Sequence, residues 1–241
     1  MIHPESLSQQ KVGDIVTWNY HAAGVFRQYG IDFCCGGGIS LQEACEKKQA
    51  PLEKVVQLLA DIAGAATSGS AENYHEWDPA FLIDYIENTH HRFVRSKSSE
   101  IAAYSQKVAR VHGERHPENV SIFHAFYGLA EDLLQHLEAE ETVVFPLIRK
   151  ASRLKAEDQP LDNQLMKQLQ TELDSMESDH EHAGETMAQI RLLSNDFTPP
   201  PEACTTYRIL YQNLAGFEEN LHKHVHLENN ILFRKAQAMI S

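Results

Sequence analysis

The chain has 241 residues, 42% of them hydrophobic, and 34 acidic against 21 basic side chains give a formal net charge of −13. That balance argues against nucleic acid or an anionic membrane as a partner, since both need a basic surface, and the length fits one large domain or a main domain with a small companion. No apolar run approaches the roughly 20 residues that span a bilayer, and the N-terminal MIHPESLSQQ lacks a signal-peptide pattern, so a soluble cytoplasmic protein is expected.

Residues 1–62 read as a small helical domain. Val12–Tyr20 and His21–Tyr29 have helical spacing, and Gly30 ends the second as a C-terminal glycine. Ile31–Gly38 is a loop holding Cys34, Cys35 and three consecutive glycines, which imply an open, mobile segment. Adjacent cysteines seldom form a structural disulfide, so these two read as redox or metal-handling thiols. Ser40 caps a helix over Leu41–Lys48, with Glu43 completing a capping box. Pro51 opens Leu52–Ala63, whose apolar face is Val55, Val56, Leu58, Leu59 and Ile62. Residues 63–76, rich in Ala, Gly and Ser, read as a linker.

Four long helical patterns occupy 77–241. They run from about Pro79 to Val111, Asn119 to Arg153 with a bend near Pro146, Gln164 to Asn195, and Ala203 to Met239. Thr198-Pro-Pro-Pro201 is a firm stop before the last, and Cys204 behind it is expected to be packed. No alternating strand pattern appears. The expected fold is all-α: an up-down-up-down four-helix bundle behind a small helical domain.

A ten-residue pattern occurs twice. His136-Leu-Glu-Ala-Glu140-Glu-Thr-Val-Val-Phe145 is echoed by His224-Val-His-Leu-Glu228-Asn-Asn-Ile-Leu-Phe233. Positions i and i+4 share a helix face, so each copy presents an imidazole and a carboxylate together, and two such helices make two half-sites. A lone His-x-x-x-Glu is usually a solvated pair; the duplication with matched phenylalanines points instead to a metal inside the bundle. Helix three offers His180 and helix one offers His90 or His91, which periodicity does not separate. His222 and His226 lie two positions from His224, and His182 two from His180, on roughly the opposite side; all three are expected in solvent or behind the ligands. Imidazole and carboxylate without thiolate suit iron, manganese or zinc, and a set of four His and two Glu best suits a non-haem di-iron centre.

The bundle resembles hemerythrin-like domains, and nearly the whole chain resembles the iron–sulfur cluster repair di-iron proteins. The carrying segments are Tyr29-Gly-Ile-Asp-Phe-Cys34-Cys35-Gly-Gly-Gly, Met176-Glu-Ser-Asp-His180-Glu-His-Ala-Gly184, Thr198-Pro-Pro-Pro-Glu-Ala-Cys204-Thr-Thr and His224-x-x-x-Glu228-Asn-Asn-x-Leu-Phe233. The resemblance implies two iron ions held by His91, His136, Glu140, His180, His224 and Glu228, with Cys34 and Cys35 as the reactive thiols. One departure is Phe233-Arg234 where many relatives have Phe-Pro, which bears on the helix shape after the site. The implied function is repair of iron–sulfur clusters damaged by nitrosative or oxidative stress, with damaged iron–sulfur proteins as partners, nitric oxide or oxygen as ligands, and a homodimer compatible with it. The competing readings are a hemerythrin-like oxygen or nitric oxide carrier or sensor, and a nitric oxide reductase.

Overall fold

A computed structural model describes residues 7–65 and 73–241, with the side chains of 63–65 excepted. Half of the expected linker 63–76, residues 66–72, therefore lies outside the described residues; of its remainder, helix α4 reaches Ala65 and Tyr74–Glu76 form a 3-10 turn. Among the described residues there is no strand, only an isolated bridge between Lys11 and Ser40. No helix among them is long and apolar enough to cross a membrane. The chain divides into two compact units, one of Met1–Asp78 with Val225–Lys235, the other of Pro79–His224 with Ala236–Ser241.

The first unit holds α1 (Val12–Trp18), α2 (Ala22–Gln28), α3 (Leu41–Lys48) and α4 (Leu52–Ala65). Gly30 takes a left-handed φ of 63°, which lets its N–H reach the carbonyl of Arg27 and that of Ile31 reach Phe26. The Ser40 side chain accepts from the Glu43 N–H and starts α3. Val12, Val16, Phe26, Phe33, Leu41 and Val55 are among its fully buried apolar side chains. The helical stretch Val225–Lys235 is held here by polar contacts. Arg234 donates to Asp14 and to Asn230 Oδ1, and Lys235 donates to the Trp77 carbonyl.

The second unit is the bundle. Its first helix is α5 (Pro79–Ile86) and α6 (Arg92–His112), joined through a π-helical turn at Glu87–His91. The second is α7 (Glu118–Ala139) and α8 (Phe145–Ala156), joined through a π turn at Glu140–Val144. The third is α9 (Asn163–Leu193), capped by the Asp162 side chain on the Leu165 N–H. The fourth is α10 (Thr205–Leu227) and α11 (Phe233–Ile240), joined through a π turn at Glu228–Leu232 that belongs with the first unit. Leu82, Ile86, Ile101, Ile122, Phe126, Leu169, Leu173 and Leu214 fill the bundle core without exposure.

Just before the expected bend at Pro146 the helix makes a π turn. Pro146 is the second residue of α8, so its missing N–H falls where the turn has already shifted the hydrogen-bond ladder. The fourth helix carries Arg234 after Phe233 and makes the same turn, so the helix shape there does not depend on proline.

After α9 the chain reverses through Asn195, Asp196 and Phe197, three successive non-glycine residues with φ of 50°, 55° and 53°. Each such residue costs roughly 1–2 kcal/mol, so the surroundings must fix them. Arg191 does this: it donates to Asp196 and to the buried Glu218, and its guanidinium lies 5.0 Å from the Phe197 ring centre.

Candidate metal centre

Each of the bundle's four helices brings a histidine to Glu140. The π turn of the first helix ends on His91, whose Nε2 lies 3.3 Å from Glu140 Oε2, both side chains fully buried. From the second and third helices, His136 Nε2 and His180 Nε2 lie 3.5 and 3.9 Å from Glu140 Oε1. The two carboxylate oxygens of Glu140 thus face different histidines. The ligand atoms of His136, Glu140 and His180 all fall within 4.8 Å of one another, and so do those of His91, Glu140 and His224. Glu140 is common to both sets.

The donor chemistry fits a transition metal. His136 Nε2 and His180 Nε2 approach to 2.9 Å in a buried setting, an arrangement suited to two lone pairs sharing a cation. All donors are imidazole nitrogen or carboxylate oxygen, the selection that holds iron, manganese or zinc. The far nitrogens are engaged as metal-binding histidines usually are. His136 Nδ1 meets Asp179 Oδ2 at 3.2 Å, and His91 Nδ1 meets Glu141 Oε1 at 2.7 Å. Arg95 grips Glu141 through both oxygens, at 2.6 and 3.0 Å. Burial would raise the Glu141 carboxyl, but its bonds with Arg95 and His91 hold it below the usual carboxylate range. The Phe145 ring stacks on His91 at 5.5 Å and closes that side with apolar surface.

His90 and His91 separate in space. His90 contacts Asn220 Oδ1 through Nδ1 at 3.3 Å and stacks on His224 with rings 5° from parallel. His224 is 1% exposed. Glu228, four residues on along the same helical run, is fully buried and opens the π turn. The spacing puts both on one helix face.

The expected placement of the surplus histidines needs one correction. His182 is exposed and His222 half-buried, but His226 is 1% exposed. Its ring packs against Tyr20 and Phe33 at 6.0 and 6.1 Å, and Nδ1 lies 3.3 Å from Asn230 Nδ2. Spacing sends it away from the His224 face without saying that another surface covers it. Burial pushes its pKa down to about 3. Cys204 is corrected too: it is exposed, with Sγ 3.3 Å from His112 Nε2.

The cysteine loop belongs to the first unit, and it is not open. Cys34 is buried and Cys35 half-buried. Asn230 donates to the Phe33 and Cys34 carbonyls at 3.3 and 3.0 Å, tying the loop to the stretch Val225–Lys235. The glycines serve close packing: a Cβ on Gly37 would lie 2.5 Å from the Phe33 carbonyl oxygen, whereas Gly38 faces open space.

Two family models match the chain. The family model described as hemerythrin HHE cation binding domain matches residues 82–236, and the one described as a domain of unknown function, ScdA_N, matches residues 8–63. The iron-sulfur cluster repair protein ScdA of Staphylococcus haemolyticus is 34% identical over 235 residues, 98% of this chain and 99% of its own. A probable iron-sulfur cluster repair protein of Haemophilus influenzae is 30% identical over 95% of this chain and 96% of its own. The iron-sulfur cluster repair protein YtfE of Dickeya chrysanthemi is 32% identical over 94% of this chain and 96% of its own.

Proposed function

This chain belongs to the iron–sulfur cluster repair protein family, and on that footing we propose that it restores damaged iron–sulfur clusters with iron carried at its buried His/Glu centre. The observation that carries this reading is Glu140, whose oxygens face His91 on one side and His136 with His180 on the other. A carboxylate so placed suits two ions. His136, His180 and one Glu140 oxygen would hold one; His91, His224 and the other oxygen would hold the second, with Glu228 completing it from the next turn of the same helix. When bound there, iron would supply redox-active, exchangeable metal.

The protein's own groups set the conditions. Asp179 and Glu141 fix the rings of His136 and His91, and Phe145 keeps water from one side. Neutral imidazoles and carboxylates release iron more readily than a thiolate cage, which favours delivery over storage. Cys34 and Cys35 are the reactive thiols that meet iron, nitric oxide or electrons in transit. The partners are damaged iron–sulfur proteins.

The test uses an iron–sulfur hydratase inactivated by nitric oxide. Iron-loaded protein restores its activity and the iron-free protein does not. Equal recovery with the same concentration of ferrous salt alone would overturn the reading.

A further inference from the structure

Two adjacent cysteines have the same chemistry in sequence but different surroundings in the fold. Asp32, two residues before them, folds its carboxylate back over the loop. Oδ1 accepts from the Cys34 N–H at 2.9 Å and the Cys35 N–H at 3.2 Å, and Oδ2 accepts from the Gly36 N–H at 2.8 Å. The same Oδ1 receives the Cys34 thiol at 3.2 Å. Asp32 itself is exposed, Cys34 is 6% exposed and Cys35 is half-buried. From behind, Asn230 fixes the Cys34 carbonyl. One sulfur is therefore turned in and bonded, while its neighbour is more open to solvent.

We propose that Asp32 is a positioning residue that makes the two thiols unequal, holding Cys34 inward as a hydrogen-bond donor and leaving Cys35 to meet the incoming iron, nitric oxide or electrophile. The inference rests on the reading of Cys34 and Cys35 as the reactive pair. Only the thiolate is a strong nucleophile or ligand. The bond with Cys35, burial and the charge of Asp32 all push the Cys34 thiol well above the ordinary cysteine range. The other titratable groups on the stretch packed against the loop are engaged elsewhere: His226, neutral here, meets Asn230, Arg234 meets Asp14 and Asn230, Lys235 meets the Trp77 carbonyl, and Glu228 belongs to the candidate metal centre. The asymmetry is geometric: of the two thiols, it is Cys34 that donates to Asp32 Oδ1.

The experiment is alkylation of the full, iron-free chain with iodoacetamide across pH 6–10, each cysteine being followed by peptide mass spectrometry. Exposed Cys204 and buried Cys45 are the fast and protected references in the same digest. In the wild type Cys35 reacts about tenfold faster than Cys34. In Asp32→Asn, which keeps an acceptor at Oδ1 but removes the charge, the pH midpoint of Cys34 falls and its rate rises about tenfold, with Cys45 still protected. A purely structural role would leave that midpoint unchanged. Equal rates for Cys34 and Cys35 in the wild type, or an unmoved Cys34 midpoint in Asp32→Asn, would overturn the proposal. Undiminished cluster repair after replacing both cysteines by serine would remove the pair from the repair reaction but leave the Asp32 result standing.

Discussion

His136 Nε2 lies 2.9 Å from His180 Nε2, while the other nitrogen of His136 meets Asp179. If Nδ1 carries the proton toward the carboxylate, Nε2 presents a lone pair to its neighbour, so the pair suits a cation better than its absence. Removing one of two facing lone pairs relieves their repulsion, unlike removal of one partner of an attractive buried pair. His180→Leu should therefore melt no lower than the iron-free wild type in a thermal scan. Ferrous iron, which at 100 times its dissociation constant should add about 2.7 kcal/mol to the wild type, should stabilise the variant less. An iron-free variant that melts well below the iron-free wild type would count against a metal role for this pair.

Glu141 orients His91 and is itself held by Arg95. Outer carboxylates of this kind typically contribute about 10–100-fold in metal affinity. Glu141→Gln should weaken iron binding by that order in competition with a chelator, with little change in helix content by circular dichroism.

Gly37 and Gly38 are neighbours with opposite tolerance. A Cβ at Gly37 meets the Phe33 carbonyl at 2.5 Å and the Gly13 backbone at 3.0 Å, and one at Gly38 meets nothing within 4 Å. Gly37→Ala should cost about 1–3 kcal/mol in denaturant unfolding and expose Cys34 to alkylation. Gly38→Ala should do neither.

Arg191 ties the left-handed turn at 195–197 to Glu218, which is 3% exposed. Arg191→Met strands that buried carboxylate and releases the turn. Removing one partner of a buried pair costs about 3–5 kcal/mol; the arginine is 38% exposed, so the loss should be nearer about 2–3 kcal/mol, read as a fall in melting temperature.

Much of the site was legible because a metal centre on helices must repeat its donors at helical spacing. His136 with Glu140 and His224 with Glu228 announce themselves through i,i+4 and through the phenylalanine that follows each. The π turns were not legible. A 3.6-residue period fits the sequence on either side of Glu87–His91, Glu140–Val144 and Glu228–Leu232, and one extra residue per turn leaves no compositional mark. The structure sets His91 beside Glu140, a placement that periodicity could not single out. His226 shows a second limit: spacing tells which face a residue takes, not what lies against that face. The three glycines after Cys35 show a third, since absence of a side chain permits tight packing as readily as openness.

The most direct test of the central claim is the metal content of the purified protein and of a His136→Ala/His224→Ala variant, measured by elemental analysis. About two irons per chain in the wild type, lost in the folded variant, is the expected result. One zinc per chain, or iron retained by the variant, would contradict the account.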